Sequence, residues 1–245
     1  MTFVLLRVLV FASAVAYAIT LPNLAFGQSS YEWGPHAESE FPTLLGVGAD
    51  LKAWGWFETT LTLGLAPKLY TDLAADTISA ISGDPDKKAV AQDVFAEAWA
   101  LHWTGAYNFS DDGGWHVGVG VSYYHSTSRE NIDPIEGATL DEFSGLKSLL
   151  QSSGLSNTLN ITSTFMIAEI YGGYAWRTSP NWLFNVDLGA AKILLPNVQL
   201  SSDLPAYDSS ASGSDTLRTT QKDINSLLNL YGIFPTLTLS VTYFL

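Results

Sequence analysis

The last ten residues, Thr236 to Leu245, read Thr-Leu-Thr-Leu-Ser-Val-Thr-Tyr-Phe-Leu. Leu237, Leu239, Val241, Tyr243 and Leu245 share one parity, and Thr236, Thr238, Ser240 and Thr242 share the other. Side chains alternate across a strand, so this stretch is a β-strand with one greasy and one polar face. A soluble protein would turn the greasy face inward. A transmembrane barrel turns it outward to lipid and lines its lumen with the polar face.

The same alternation recurs upstream. Val47, Ala49, Leu51 and Ala53 oppose Gly46, Gly48, Asp50 and Lys52; after a turn at Trp54 to Phe57, Leu61, Leu63, Leu65, Pro67 and Leu69 oppose Thr60, Thr62, Gly64 and Lys68. From Val94, aromatic and apolar residues such as Trp99, Trp103, Tyr107 and Phe109 oppose Ala98, Ala100, His102 and Thr104. Ser110-Asp111-Asp112-Gly113-Gly114 predicts a hairpin turn, and Trp115, Val117, Val119 and Val121 then oppose His116, Gly118, Gly120 and Ser122. Residues 160–177 set Met166, Ala168 and Ile170 against Glu169, and after a turn at 178–181 Trp182, Phe184, Val186 and Leu188 oppose Asn185 and Asp187. Polar connections are expected at 71–91, at 126–159 with a short helix at Asp141 to Gln151, and at 196–223.

Short turns alternating with long connections, aromatics at strand ends and the terminal strand itself resemble the outer-membrane β-barrel family of Gram-negative bacteria, in particular its small eight-stranded OmpA and OmpW type. The resemblance implies an all-β fold: a closed antiparallel transmembrane barrel of about eight strands, with short periplasmic turns and long extracellular loops. Seven strands are visible and single-chain bacterial barrels have an even number. The eighth is expected near Ser29 to Glu38 or inside 71–91, unless 43–69 is one long strand.

The remaining sequence fits export. Arg7, the apolar run Val8 to Ile19 and the small residues Ala25 and Gly27 predict a signal peptide over 1–27. Residues 28–42, with Pro35 and Pro42, are expected to be a periplasmic lead-in, and 43–245 the barrel. The chain has no cysteine, which excludes disulfides and thiolate metal sites. A net charge of −13 excludes nucleic acid as a partner. No stretch after residue 28 is apolar enough for a membrane helix.

The polar parity defines the candidate lumen or pore lining: Asp50, Lys52, Lys68, His102, His116, Glu169 and Asp187. In a barrel of this size such charges must pair or line a narrow hydrated path. No phosphate loop, nucleophile elbow or calcium loop is present, so no catalytic residue, metal or cofactor is expected. His125-Ser126-Thr127 resembles the His-x-Ser pair of outer-membrane lipid A deacylases, with Thr127 in the serine position. The reading is a non-enzymatic outer-membrane barrel, a narrow pore for small solutes or a surface scaffold, in contact with outer-membrane lipid and lipopolysaccharide. The alternatives are an adhesion module acting through its outer loops, a lipid A-modifying hydrolase, and a soluble lipocalin-like barrel with the two faces reversed.

Overall fold

The computed structural model describes residues 31–83, 86–96, 98–111, 113–131, 158–202 and 211–245. The expected signal peptide and the expected helix at Asp141 to Gln151 lie outside them. Eight antiparallel strands form a closed barrel in sequence order. They are β1 (Tyr31–Phe41), β2 (Leu44–Ala53), β3 (Phe57–Leu65), β4 (Trp99–Asn108), β5 (Gly113–Asn131), β6 (Thr158–Arg177), β7 (Trp182–Ser202) and β8 (Ile233–Tyr243). β1 pairs with β8 from His36↔Thr242 to Phe41↔Leu237, so the sheet keeps no open edge. Among the described residues three helices join the strands at one end: α1 (Lys68–Ser82) and α2 (Asp86–Phe95) between β3 and β4, and α3 (Ala211–Tyr231) between β7 and β8.

The eighth strand is β1, so the expected lead-in over 28–42 is corrected: residues 31–41 belong to the barrel. Its signal was weak because the outward residues Pro35, Ala37 and Ser39 are small, and only the inward His36, Glu38 and Glu40 carry the alternation. The connection 71–91 joins β3 to β4 and holds the helical hairpin α1–α2, so the alternative of a strand inside it is overturned. Strand β3 stops at Leu65; Pro67, extended at φ −62° and ψ 150°, starts α1, and Gly83 closes it at φ 69°. Thr71, Ala74, Ala75 and Ile78 are buried at helical spacing, a pattern that the long polar residues between them hide.

Two further corrections concern strand length. β5 and β6 reach Asn131 and Thr158, so the loop expected over 126–159 is shorter at both ends. The loop expected over 196–223 gives way to the end of β7 and to α3. β7 passes Pro196 through a register shift against β6 between Thr164 and Met166, with Leu195 at φ 49°. A bulge is where a strand tolerates a proline.

The outward face is apolar around the barrel. Val47, Ile170 and Leu188 are 67–68% exposed, whereas Asp50 is fully buried. The faces are therefore those of a membrane barrel, and the reversed, lipocalin-like arrangement is overturned. Aromatic rings circle the short-turn end: Trp54 stacks on Trp56 at 5.5 Å, Tyr107 meets Phe109 at 5.3 Å, Tyr174 meets Trp176 at 4.8 Å, and Trp182 meets Tyr243 at 5.0 Å. Trp99, Tyr123 and His125 form a sparser second group toward the helices. Trp99 and Tyr107 are separated by about 26 Å of strand, or roughly 20 Å of height at a tilt near 40°. That is close to the apolar band of an outer-membrane barrel, about 25 Å tall.

Candidate functional site

Inside the barrel the side chains change character with height. Toward the short turns the lumen is polar. His36 Nε2 lies 3.1 Å from Glu38 Oε2, and His36 Nδ1 lies 2.9 Å from Thr242 Oγ1. The Thr242 hydroxyl donates to Asp50 Oδ2 at 3.0 Å. His102 sits at the centre, with Nδ1 at 2.9 Å from Glu38 Oε1 and 3.4 Å from Glu40 Oε2, and Nε2 at 3.0 Å from Glu169 Oε1. Below it, His116 Nε2 lies 2.5 Å from Asp187 Oδ1, and Asn108 donates to Glu58 at 3.2 Å. Two inward glycines make room for the acids of the neighbouring strand: a Cβ at Gly120 would meet the Glu169 carboxylate, and one at Gly173 would meet Asp187.

The floor is closed by Phe244, which packs with Ala175 and Leu183. The Arg177 guanidinium lies 5.2 Å from the Phe244 ring centre and pairs with Glu32. Phe244, one residue past β8, puts an aromatic on the parity that β8 keeps polar at Thr238, Ser240 and Thr242, and the reason is this plug. Lys52 also belongs to the floor, donating to the backbone carbonyl of Asp111.

Above Glu40 and His102 the interior becomes apolar. Tyr124 stacks on Phe165 at 5.2 Å with the rings 8° apart, and Phe95 of α2 meets Phe165 edge-on at 5.0 Å. Ile78, Ile193, Leu228 and Phe234 complete a buried core shared by strands and helices. Leu217, Ile224, Leu227 and Leu228 place one face of α3 in this core, each contributing about 2 kcal/mol through burial. Side chains anchor the helices at polar points: Ser126 donates to the Val94 carbonyl at 2.9 Å, Gln221 to the Leu200 carbonyl at 3.1 Å, and Asn225 Oδ1 accepts from the Val198 N–H at 2.9 Å. The polar lumen thus lies between the Phe244 cluster below and an apolar core of strands and helices above. Between them lies a cavity of about 30 Å³ bordered by His36, Glu38, His102, Glu169 and Asp187. That is room for about two waters.

Of the seven lumen candidates, Asp50, Lys52, His102, His116, Glu169 and Asp187 are buried inside the barrel. Lys68 is not, which corrects the sequence reading. It opens α1 with its side chain 84% exposed and pairs with Asp72 at 2.8 Å. Its hydrogen bond holds the Asp72 carboxyl below the usual range. The alternation was carried through Pro67 into the helix, where parity has no meaning. The sequence reading missed His36, Glu38, Glu40 and Glu58. The first three sit on the unassigned β1, and the signal that marks them is their two-residue spacing.

Of the deacylase-like pair, His125 Nδ1 lies 3.3 Å from Thr164 Oγ1 on β6, and Thr127, in the serine position, is exposed.

No protein-family model and no curated protein matches the sequence. Among solved structures, the chain is similar to the N-terminal β-barrel domain of Pseudomonas aeruginosa OprF, at 11% identity and a TM-score of 0.40, covering 89% of this chain and 100% of that one. Acinetobacter baumannii CarO is similar at 12% identity and a TM-score of 0.36, covering 86% of this chain and 97% of that one. A. baumannii CarO2 is similar at 15% identity and a TM-score of 0.37, covering 89% and 100%. These likenesses concern the barrel form.

Proposed function

We propose that this chain is a non-enzymatic outer-membrane β-barrel that is closed to solutes and serves as a membrane-anchored scaffold for its helical cap. The membrane part of the reading is supported by the continuous apolar exterior with its aromatic ring, the surface that hydrocarbon covers and water does not. The scaffold part is carried by the interior: an apolar core of strand and helix side chains lies directly on a polar lumen whose cavity is only about 30 Å³. A pore needs a continuous wet path, and the packed apolar core beside so small a cavity favours a closed barrel over one.

The test is conductance of the full refolded chain in a planar bilayer, with insertion established separately by protection of the strands from protease. The expected result is a quiet membrane. Discrete, cation-selective steps that change when Glu169 or Asp187 is replaced by its amide would overturn the closed-barrel reading in favour of a narrow pore.

A further inference from the structure

The lumen carries more negative than positive charge. Glu38, Glu40, Asp50 and Glu169 surround His36 and His102, and all six are at least nine-tenths buried. Even with both imidazoles protonated and Lys52 beside Asp50, the carboxylates outnumber the cations. An uncompensated buried charge is costly, so the acids around His102 must hold either protons or a further cation.

The positions of the donors say where. Glu40, His102 and Glu169 each present one ligand atom, and the three atoms lie within 4.8 Å of one another. Glu169 Oε2 is buried with no hydrogen-bond partner, and Glu40 Oε2, equally buried, makes no hydrogen bond and has only a 3.4 Å approach from His102 Nδ1. In a folded protein such oxygens are rare and mark a strained site, a functional site or a missing ligand. The His102 ring is held as metal-bound histidines are: Glu38 at 2.9 Å holds Nδ1, which leaves Nε2, on the Glu169 side, for an ion. The adjacent cavity, bordered by Glu38, His102 and Glu169, has room for water to complete the coordination.

We propose that Glu40, His102 and Glu169 form an intramembrane binding site for one divalent first-row transition ion, with Glu38 positioning the imidazole. Two carboxylates and one imidazole suit Zn²⁺, Mn²⁺ or Fe²⁺, and the nitrogen donor disfavours Ca²⁺ and Mg²⁺, which take oxygen ligands. Ligand bonds of about 2.0–2.2 Å require the donors to close by about 1 Å, within the reach of glutamate rotamers. Between plug and cap, the ion would be taken up as the barrel closes and held as a structural charge.

The full chain is refolded in detergent with Zn²⁺ or with chelator, gel-filtered and assayed for bound metal; Co²⁺ replaces Zn²⁺ for visible absorption. The expected result is one Zn²⁺ per chain, retained against Ca²⁺, with a Co²⁺ spectrum of low coordination number. The isosteric variants Glu40→Gln and Glu169→Gln should each weaken binding at least tenfold, and Glu38→Gln about tenfold, as for other partners that orient a ligand. Circular dichroism checks that each variant has folded. Absence of Zn²⁺ and Co²⁺ from the folded wild-type chain would overturn the proposal and leave protons to carry the missing charge. Binding that persists in a folded Glu40→Gln, Glu169→Gln double variant would overturn it too, placing the ion on exposed acids such as Asp76.

Discussion

The two halves of the barrel interior are built from the same strands by opposite means. On β6, Glu169 and Tyr171 face the polar half, while Phe165 and Ile167 face the cap; on β8, Ser240 and Thr238 face one and Phe234 the other. The polar half is held by directional contacts among buried charged groups, each of which needs its partner. The apolar half is held by area and packing, as in a water-soluble core. The strands reach beyond the level of the outer aromatic group, and there the helices supply the second layer that lipid cannot. A membrane barrel and a small globular core therefore share one sheet.

If this division is right, damage to the halves should separate. The largest effect is expected for His102→Ala, which leaves the carboxylates of Glu38 and Glu169 buried without their shared partner. It should cost about 4 kcal/mol in urea unfolding from lipid vesicles, while the cap helices keep their protection from hydrogen exchange. Phe165→Ala should cost about 3 kcal/mol by opening a cavity between Tyr124 and Phe95. Its mark is the converse: rapid exchange and protease cleavage in α2 and α3, with the lower strands still protected. Similar losses of protection in both halves for either variant would show one cooperative unit and break the comparison.

A smaller change sharpens the polar side. Gly120→Ala should cost roughly 1–2 kcal/mol by pushing the Glu169 carboxylate off His102, and pairing it with Glu169→Gln should give clearly less than the sum of the two. Strict additivity would mean that the glycine does not serve this acid. Lys68→Gln should change neither unfolding nor bilayer conductance, because the side chain is solvated on α1. An altered conductance would return it to the lumen.

Much of the barrel was legible in the sequence because a strand's period of two is local. Each alternating stretch declared its two faces, and six of the seven lumen candidates are inside. The legibility failed where locality failed. β1 has small outward residues, so only its polar parity spoke, and the residues nearest His102 went unassigned with it. Lys68 was misplaced because alternation ran across Pro67 into a helix whose first residues happened to match it. The helices themselves looked like polar loops, since each buries a narrow stripe against strands far away in the chain.

The sequence alone determined that this chain makes a barrel with a greasy outside and a charged inside, because alternation and turn chemistry act between neighbours. Only the tertiary structure decided how the interior is packed. That packing depends on Phe244 meeting Leu183, on α2 and α3 meeting Phe165 and Ile193, and on Glu40 and Glu169 converging on one imidazole. Those meetings are set by the register of eight strands closing on themselves, which no single stretch of the chain contains.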